Sequence, residues 1–249
     1  MADTYLLPGV GADVTADAEY TIRDQERMKS ARRYFEWQFE MAEKHLGRRV
    51  LEVGCGLGNF TRHLTARQFV AALDIESACI EIHRRRFAAQ PNIASFRMDI
   101  QSEDFLGLGR HHPDSIACLN VLEHVRDDGL ALSHMNAVLP SGGTAVLIVP
   151  AFDALYGPID ERLGHYRRYS KRSFAQLARE AGFEAHILRY INSIGFFGWW
   201  LNAKVLKRTE QSAAQIRIFD AMAVPLLSRV ERRLEPPVGQ SIFAVLVKA

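Results

Sequence analysis

Cysteine is scarce. The 249-residue chain has three, Cys55, Cys79 and Cys118, scattered with no CxxC spacing. An odd, dispersed set offers neither a disulfide framework nor a zinc site, which fits a reducing compartment. Missing too is any apolar run near the roughly 18 residues that a membrane-spanning helix needs. The opening MADTYLLPGVGADVTADAEY lacks the basic start and apolar core of a signal peptide, so a cytoplasmic protein is expected. Charge of one sign is also lacking. Against 31 Lys and Arg stand 29 Asp and Glu, a formal net of +2, too little to draw the chain to nucleic acid. Neither an internal repeat nor a low-complexity tract is present.

What the chain does have is rhythm. Short apolar runs alternate with helical patterns: RRVLEV then NFTRHLTAR, FVAALDI then ESACIEIHRRRFAA, ASFRMDI, DSIACLNV then RDDGLALSHMNAVL, and GGTAVLIVP. Five strands separated by helices predict a doubly wound α/β sheet, and runs rich in Val, Ile, Leu and Ala suit strands buried on both faces. Ser170 reads as an N-cap, Gly182 as a helix stop, FEAHILRY as a sixth strand and SIFAVLVKA as a seventh. Residues 1 to about 20 have no period and are expected to form a loose arm, and Asp24 to His45 an amphipathic helix. The division expected is an arm and covering helix over residues 1–46, then one domain over 47–249 with a helical insertion at about 193–238. Ile216, Phe219, Met222, Leu226, Val230 and Leu234 keep near-helical spacing, with a kink expected at Pro225. The stripe reads as core or a subunit contact.

The most informative stretch is VLEVGCGLGNFTRHL, Val50 to Leu64. A buried strand carries Glu52, Gly54, Gly56 and Gly58 follow at alternate positions, and a helix is expected to begin near Asn59. Glycines belong where the chain turns sharply off a strand and a ligand must touch the backbone. A helix N-terminus behind them would suit a carboxylate. The second strand ends in Asp74, a carboxylate that can accept both ribose hydroxyls of a nucleoside. The nicotinamide fingerprint is GxGxxG; here the spacing is GxGxG, with Asn59 where the third fingerprint glycine would fall. Glu52 would repel a pyrophosphate but suits the α-amino group of methionine.

With these residues the chain resembles class I S-adenosylmethionine (SAM)-dependent methyltransferases of the type 11/12 group, from about Arg48 onward. The resemblance rests on VLEVGCGLGNFT, ALDIE, Met98-Asp99-Ile100, CLNVLEHV and LPSGGTAVLIVPA. Within that group LYGPIDERLGHYRRYSKRSF, GWWLNAKVLKR and PPVGQSIFAVLVKA look like one bacterial subfamily. The resemblance implies a Rossmann-like seven-stranded sheet, mostly parallel with an antiparallel last strand, and SAM over the tips of the first strands. Asp99 would accept from the adenine amine, while Met98 and Ile100 bracket the ring. Ile75 follows the ribose-binding acid, and Asn120 would contact the cofactor through its backbone.

Substrate residues are sought where such strands end in loops. Tyr156 to Tyr169 is the best candidate segment. His165 could serve as base, an imidazole being suited to proton transfer near neutral pH, with Tyr156, Tyr166 and Tyr169 orienting the acceptor. Arg167 and Arg168 read as a solvated charge run. Some methyltransferases of this class hold a divalent metal with a Glu–His pair after the fourth strand, but Asn120 stands where that pattern has another Glu. Glu123 and His124 therefore read as a capping and packing pair, and no metal is expected. Phe196, Phe197, Trp199 and Trp200 precede Lys204, Lys207 and Arg208. Such a cluster suits a peripheral membrane contact or a lid, although a helix packed on the sheet is the commoner outcome.

The expected activity is methyl transfer to an O, N or carboxylate of a small-molecule or lipid-like acceptor, by a monomer or homodimer. The alternatives are an enzyme that cyclises or cleaves SAM and a noncatalytic SAM-binding module at the membrane.

Overall fold

The computed structural model describes residues 16–210 and 212–249. Of the expected N-terminal arm, residues 1–15 lie outside the described residues, and residues 16–20 already belong to a helix. Seven strands make one sheet: β1 (Arg49–Val53), β2 (Phe69–Asp74), β3 (Ile93–Arg97), β4 (Ser115–Leu119), β5 (Thr144–Pro150), β6 (Phe183–Ile191) and β7 (Ser241–Lys248). Their order is β3-β2-β1-β4-β5-β7-β6. The first five are parallel, and β7 runs antiparallel between β5 and β6. This is the expected Rossmann-like sheet with an antiparallel last strand. The order reverses beside β1, so the tips of β1 and β4 diverge and open a crevice at their carboxyl ends.

The helices are α1 (Ala16–Met28), α2 (Arg32–Ala42), α3 (Ser77–Arg86), α4 (Asp128–Val138), α5 (Pro158–Arg162), α6 (Lys171–Glu180), α7 (Ser193–Trp200), α8 (Ala213–Ile218) and α9 (Val224–Glu231). Cores lie on both faces of the sheet. One is built around Leu51, Ile116, Leu147 and Phe174, the other around Trp37, Val70, Val146 and Leu227. Ser170 caps α6 by accepting from Ser173 N, and Gly182 takes a φ of 82° where that helix stops.

Three local expectations are corrected. Asp24 to His45 is two helices rather than one, broken at Lys29–Ala31. No α-helix follows the glycine turn, where a 3₁₀ turn, Thr61–His63, stands instead. A helix in the few residues left before β2 would be marginal, and the Thr61 hydroxyl is held 2.9 Å from His83 Nε2 on α3.

The third correction concerns the apolar stripe, which is not core beyond Phe219. Met222, Leu226, Val230 and Leu234 are exposed, whereas Ile216, Asp220, Val224, Leu227 and Glu231 face inward. A π turn at Phe219–Ala223 adds a residue and rotates everything after it, just before the expected break at Pro225. The inward acids have work there. Asp220 Oδ1 accepts from Tyr34 N at the start of α2, and Glu231 accepts from Asn192 N, Ser193 N and the Ser193 hydroxyl at the start of α7. Both carboxylates satisfy helix N-terminal donors that would otherwise be orphaned.

Candidate active site

A cavity of about 440 Å³ opens at the carboxyl ends of β1 and β4. Gly54, Cys55 and Asn59 of the glycine turn line it, with Gly56, Gly58 and Asp74 behind them. Gly54, Gly56 and Gly58 have φ of 72°, 49° and 79°, the left-handed region that favours glycine. At Gly54 a Cβ would lie 2.2 Å from Val121 Cγ2, and at Gly56 it would lie 1.9 Å from Gln25 Oε1. Gly58 is required by packing, since a Cβ there would lie 2.3 Å from the Phe87 ring. The turn is pinned from β2. Gly54 N and Cys55 N donate to Leu73 O, and Gly56 N donates to Asp74 Oδ2 at 2.8 Å. The other Asp74 oxygen accepts from Glu76 N. A carboxylate has about four lone-pair sites, so acceptor capacity remains for hydroxyl donors.

Glu52 is buried, lines the cavity, and has one oxygen, Oε2, without a partner. Burial pushes its pKa up to about 8, with the nearby Asp74 charge adding to the rise. An orphaned carboxyl in a cavity is the complement of a cationic amine. Asn59 also lines the cavity; its Nδ2 donates to Gln25 O and its Oδ1 is unpaired. A nucleoside bearing a charged amino-acid tail therefore fits this end.

Ile75, Met98, Asp99 and Ile100 stand at the neighbouring strand tips, outside the cavity. Ile75 is exposed, and Asp99 Oδ1 accepts from Gln101 N. Met98 packs on the core, and Ile100 is buried within it. Asn120 lines the cavity at a φ of 54°. Asn192, across the cavity, has a φ of 65°, and Phe152, just after β5, one of 61°. Each such non-glycine residue costs of order 1–3 kcal/mol, and this strain gathers around the site.

The far wall comes from the loop after β5, whose ends are stitched together by Phe152 N to Tyr169 O and Tyr169 N to Pro150 O. His165 lines the cavity, and its Nδ1 is 2.8 Å from Asp160 Oδ1. An ionised carboxylate only accepts, so Nδ1 carries a proton, and in the neutral imidazole the lone pair is therefore on Nε2. Although burial works against its charge, the bonds to His165 and Arg168 hold the Asp160 carboxyl below the usual range. Arg168 is not a solvated residue. It is buried, pairs with Asp160 at 2.8 Å and lies over the Trp199 ring. Arg167 pairs with Asp128 at 2.7 Å.

The three tyrosines do not line the cavity. The Tyr156 hydroxyl donates to His165 O, Tyr166 is exposed, and Tyr169 is buried with its hydroxyl on Asp128 Oδ2. Their orienting role is thus corrected: Tyr156 supports the His165 backbone and Tyr169 braces the core. Nor do Glu123 and His124 form a capping pair. Glu123 is 1% exposed with Oε2 unpartnered, and Glu123, His124 and His165 offer ligand atoms within 4.8 Å of one another.

Most residues of the remaining wall are not among those singled out in the sequence, Trp199 of the aromatic cluster excepted. Asp24, Gln25 and Met28 enter from α1, Tyr34 from α2, Gly195, Gly198 and Trp199 from α7, and Gln240 and Ser241 from the start of β7. Gln25 Oε1 accepts from Leu57 N within the glycine turn. No local motif marks these positions; the signal would have been the polar residues on the cavity-facing side of α1.

A family described as a methyltransferase domain matches residues 22–187. The ubiquinone biosynthesis O-methyltransferase of Neisseria meningitidis is 33% identical over 100 residues, which are 39% of this chain and 42% of that enzyme. The chain thus spans less than half the length of this relative. A SAM-dependent methyltransferase from Archaeoglobus fulgidus has a similar fold, with a TM-score of 0.61 at 18% identity over 92% of this chain and all (100%) of that one. The N-methyltransferase NodS of Bradyrhizobium japonicum, in complex with S-adenosylhomocysteine, gives 0.53 at 16% identity over 95% and 89%.

Proposed function

The chain belongs to the methyltransferase domain family, and from that premise we propose that it methylates an oxygen, nitrogen or carboxylate of a small or lipid-like acceptor. Its cofactor is SAM, which when bound supplies a methyl group already activated by a sulfonium. The cofactor is assigned to Glu52, Gly54, Gly56, Asn59 and Asp74, with Ile75, Met98 and Asp99 beside the base. LYGPIDERLGHYRRY and PPVGQS support a further reading, membership of one bacterial subfamily.

One observation carries this reading: a single cavity has at one end a Glu52 oxygen with no partner among the described residues and at the other the Asp160-held His165. Glu52 takes the ammonium of the amino-acid tail. His165 Nε2 removes the acceptor proton, and Asp160 fixes the tautomer and stabilises the imidazolium. The α1 and α7 walls hold the acceptor and exclude water, and alignment of this kind is worth about 7–11 kcal/mol in well-oriented pairs.

The ligand geometry of Glu123, His124 and His165 favours a second reading, in which a divalent cation binds the acceptor oxygen. Asp160 on Nδ1 would then orient a metal ligand. Chelation separates the two, because turnover survives it only if His165 acts as a base.

Calorimetry with S-adenosylhomocysteine tests the cofactor site, and a dissociation constant in the micromolar range is expected. Transfer of a labelled methyl group to a panel of phenols, amines, fatty acids and polyprenyl lipids tests the chemistry. Absence of S-adenosylhomocysteine binding overturns the proposal.

A further inference from the structure

Residues 193–235, between β6 and β7, hold eleven of the fifteen large apolar side chains that are exposed among the described residues. Single exposed apolar residues need no explanation, but such a concentration does. The same stretch has seven Lys and Arg against four Asp and Glu, an excess of three where the whole chain has a net of +2. Its acids are engaged. Asp220 and Glu231 are buried, Glu210 pairs with Arg27, and Glu235 pairs with Lys171. The outward charge of the segment is therefore positive.

The helix α7 and the π turn after it, Leu201–Val205, are two-faced. Gly195, Gly198, Trp199 and Asn202 line the cavity. At about 100° per residue, Phe197, Trp200 and Leu201 fall on the opposite side, and the wider π turn, which turns less per residue, brings Val205 round to join them. They are 63%, 48%, 45% and 55% exposed. Arg208 shares that side and Lys207 lies beside it, both exposed, whereas the Lys204 Nζ donates to Tyr156 O. No helix among the described residues is long and apolar enough to cross a membrane.

We propose that this outer face of α7 docks on an anionic lipid bilayer, lying in the interface with Phe197, Trp200, Leu201 and Val205 in the acyl boundary and Lys207 and Arg208 among the headgroups. Aromatic and aliphatic side chains on one face with cations at its edge are what an interfacial helix requires, and the positive excess selects anionic lipid. The opposite face walls the cavity, so a membrane-borne acceptor would enter beside the helix that holds the protein down. The docking rests on this face alone; its use for delivery rests on the function proposed above.

The test is flotation of the full chain with vesicles of phosphatidylcholine alone or mixed with phosphatidylglycerol. Binding is expected to the mixed vesicles, weakening as salt rises. Tryptophan emission should shift to the blue, since Trp37 and Trp199 are already buried, and Trp200→Phe should abolish the shift. Phe197→Ser with Trp200→Ser should lower partitioning at least about tenfold, and Lys207→Gln with Arg208→Gln by about thirtyfold, from about 1 kcal/mol per cation. Unchanged melting temperature and S-adenosylhomocysteine affinity would show that both double variants are folded and keep the cofactor site apart from this question. The proposal is overturned if neither vesicle binds, if neither double variant weakens binding, or if the chain is a dimer that Phe197→Ser with Trp200→Ser dissociates.

Discussion

The two ends of the cavity are built differently. The cofactor end is mostly a local structure: Glu52 and Gly54 line it, Gly56 and Asp74 support it from beneath, and backbone hydrogen bonds to Leu73 O and Asp74 Oδ2 hold the turn together, with Gln25 of α1 joining at Leu57 N. The acceptor end is drawn from distant segments, with Glu123, His165, Asn192 and Gln240 meeting only in the finished fold. A locally built site tolerates changes elsewhere, whereas a distantly assembled one depends on the strained residues and capping acids that fix its parts. The ends should therefore fail separately.

The largest effect expected is on chemistry. His165→Ala should lower turnover by about 10²–10⁴ if the residue is the base, with S-adenosylhomocysteine affinity unchanged by calorimetry. Joint loss of both would break the separation. Next, Asp74→Ala should weaken cofactor binding by about 1.5–3 kcal/mol, roughly ten- to a hundredfold, and calorimetry on a protein of unaltered circular dichroism measures it.

A third effect sharpens the contrast through pH. The folded Glu52 pKa of about 8 lies above its ordinary value of 4.5, so without cofactor the native state binds the extra proton between those pH values. Stability from this group therefore falls as pH rises from about 4.5 to about 8. A cationic ligand prefers the ionised form, so its affinity should climb with pH by up to about tenfold per unit below the pKa and level off above it. Glu52→Gln should flatten the climb, as titrations at several pH values would reveal.

The smallest effect is structural. Asn192 holds a φ of 65°, its Oδ1 accepts from Gly195 N, and its Nδ2 donates to Gln240. Asn192→Ala should cost about 1–3 kcal/mol, read as a lower melting temperature, with cofactor affinity in the folded protein intact.

The same contrast explains what the sequence could and could not disclose. The sheet was legible because its strands are apolar and its spacing regular, and the glycine turn because its geometry is written in consecutive residues. Gly58 shows the limit even there: a glycine demanded by Phe87, just after α3, looks the same in sequence as one demanded by a ligand. The helix expected after Asn59 failed for want of length. The core reading of the α8–α9 stripe fails beyond Phe219 because Asp220 and Glu231 turn inward to cap other helices. Tyr169 was read as a site residue from its place in the loop, yet its side chain turns to Asp128. The distant walls carry no spacing signal at all, since their neighbours are set by tertiary packing.

The place of β7 bears on the order in which the protein is made. It pairs with β5 on one side and β6 on the other, and β6 has no other partner. Some fifty residues separate the end of β6 from the start of β7, so at about 5–20 residues per second the ribosome needs a few seconds between them. For that interval the nascent chain carries two open strand edges, on β5 and on β6, each a template for wrong pairing. The glycine turn and Asp74 have emerged by then, whereas Gln240 and Ser241 have not. A nascent chain could thus engage cofactor before its acceptor pocket exists, and that early ligand would favour the correctly paired half-sheet.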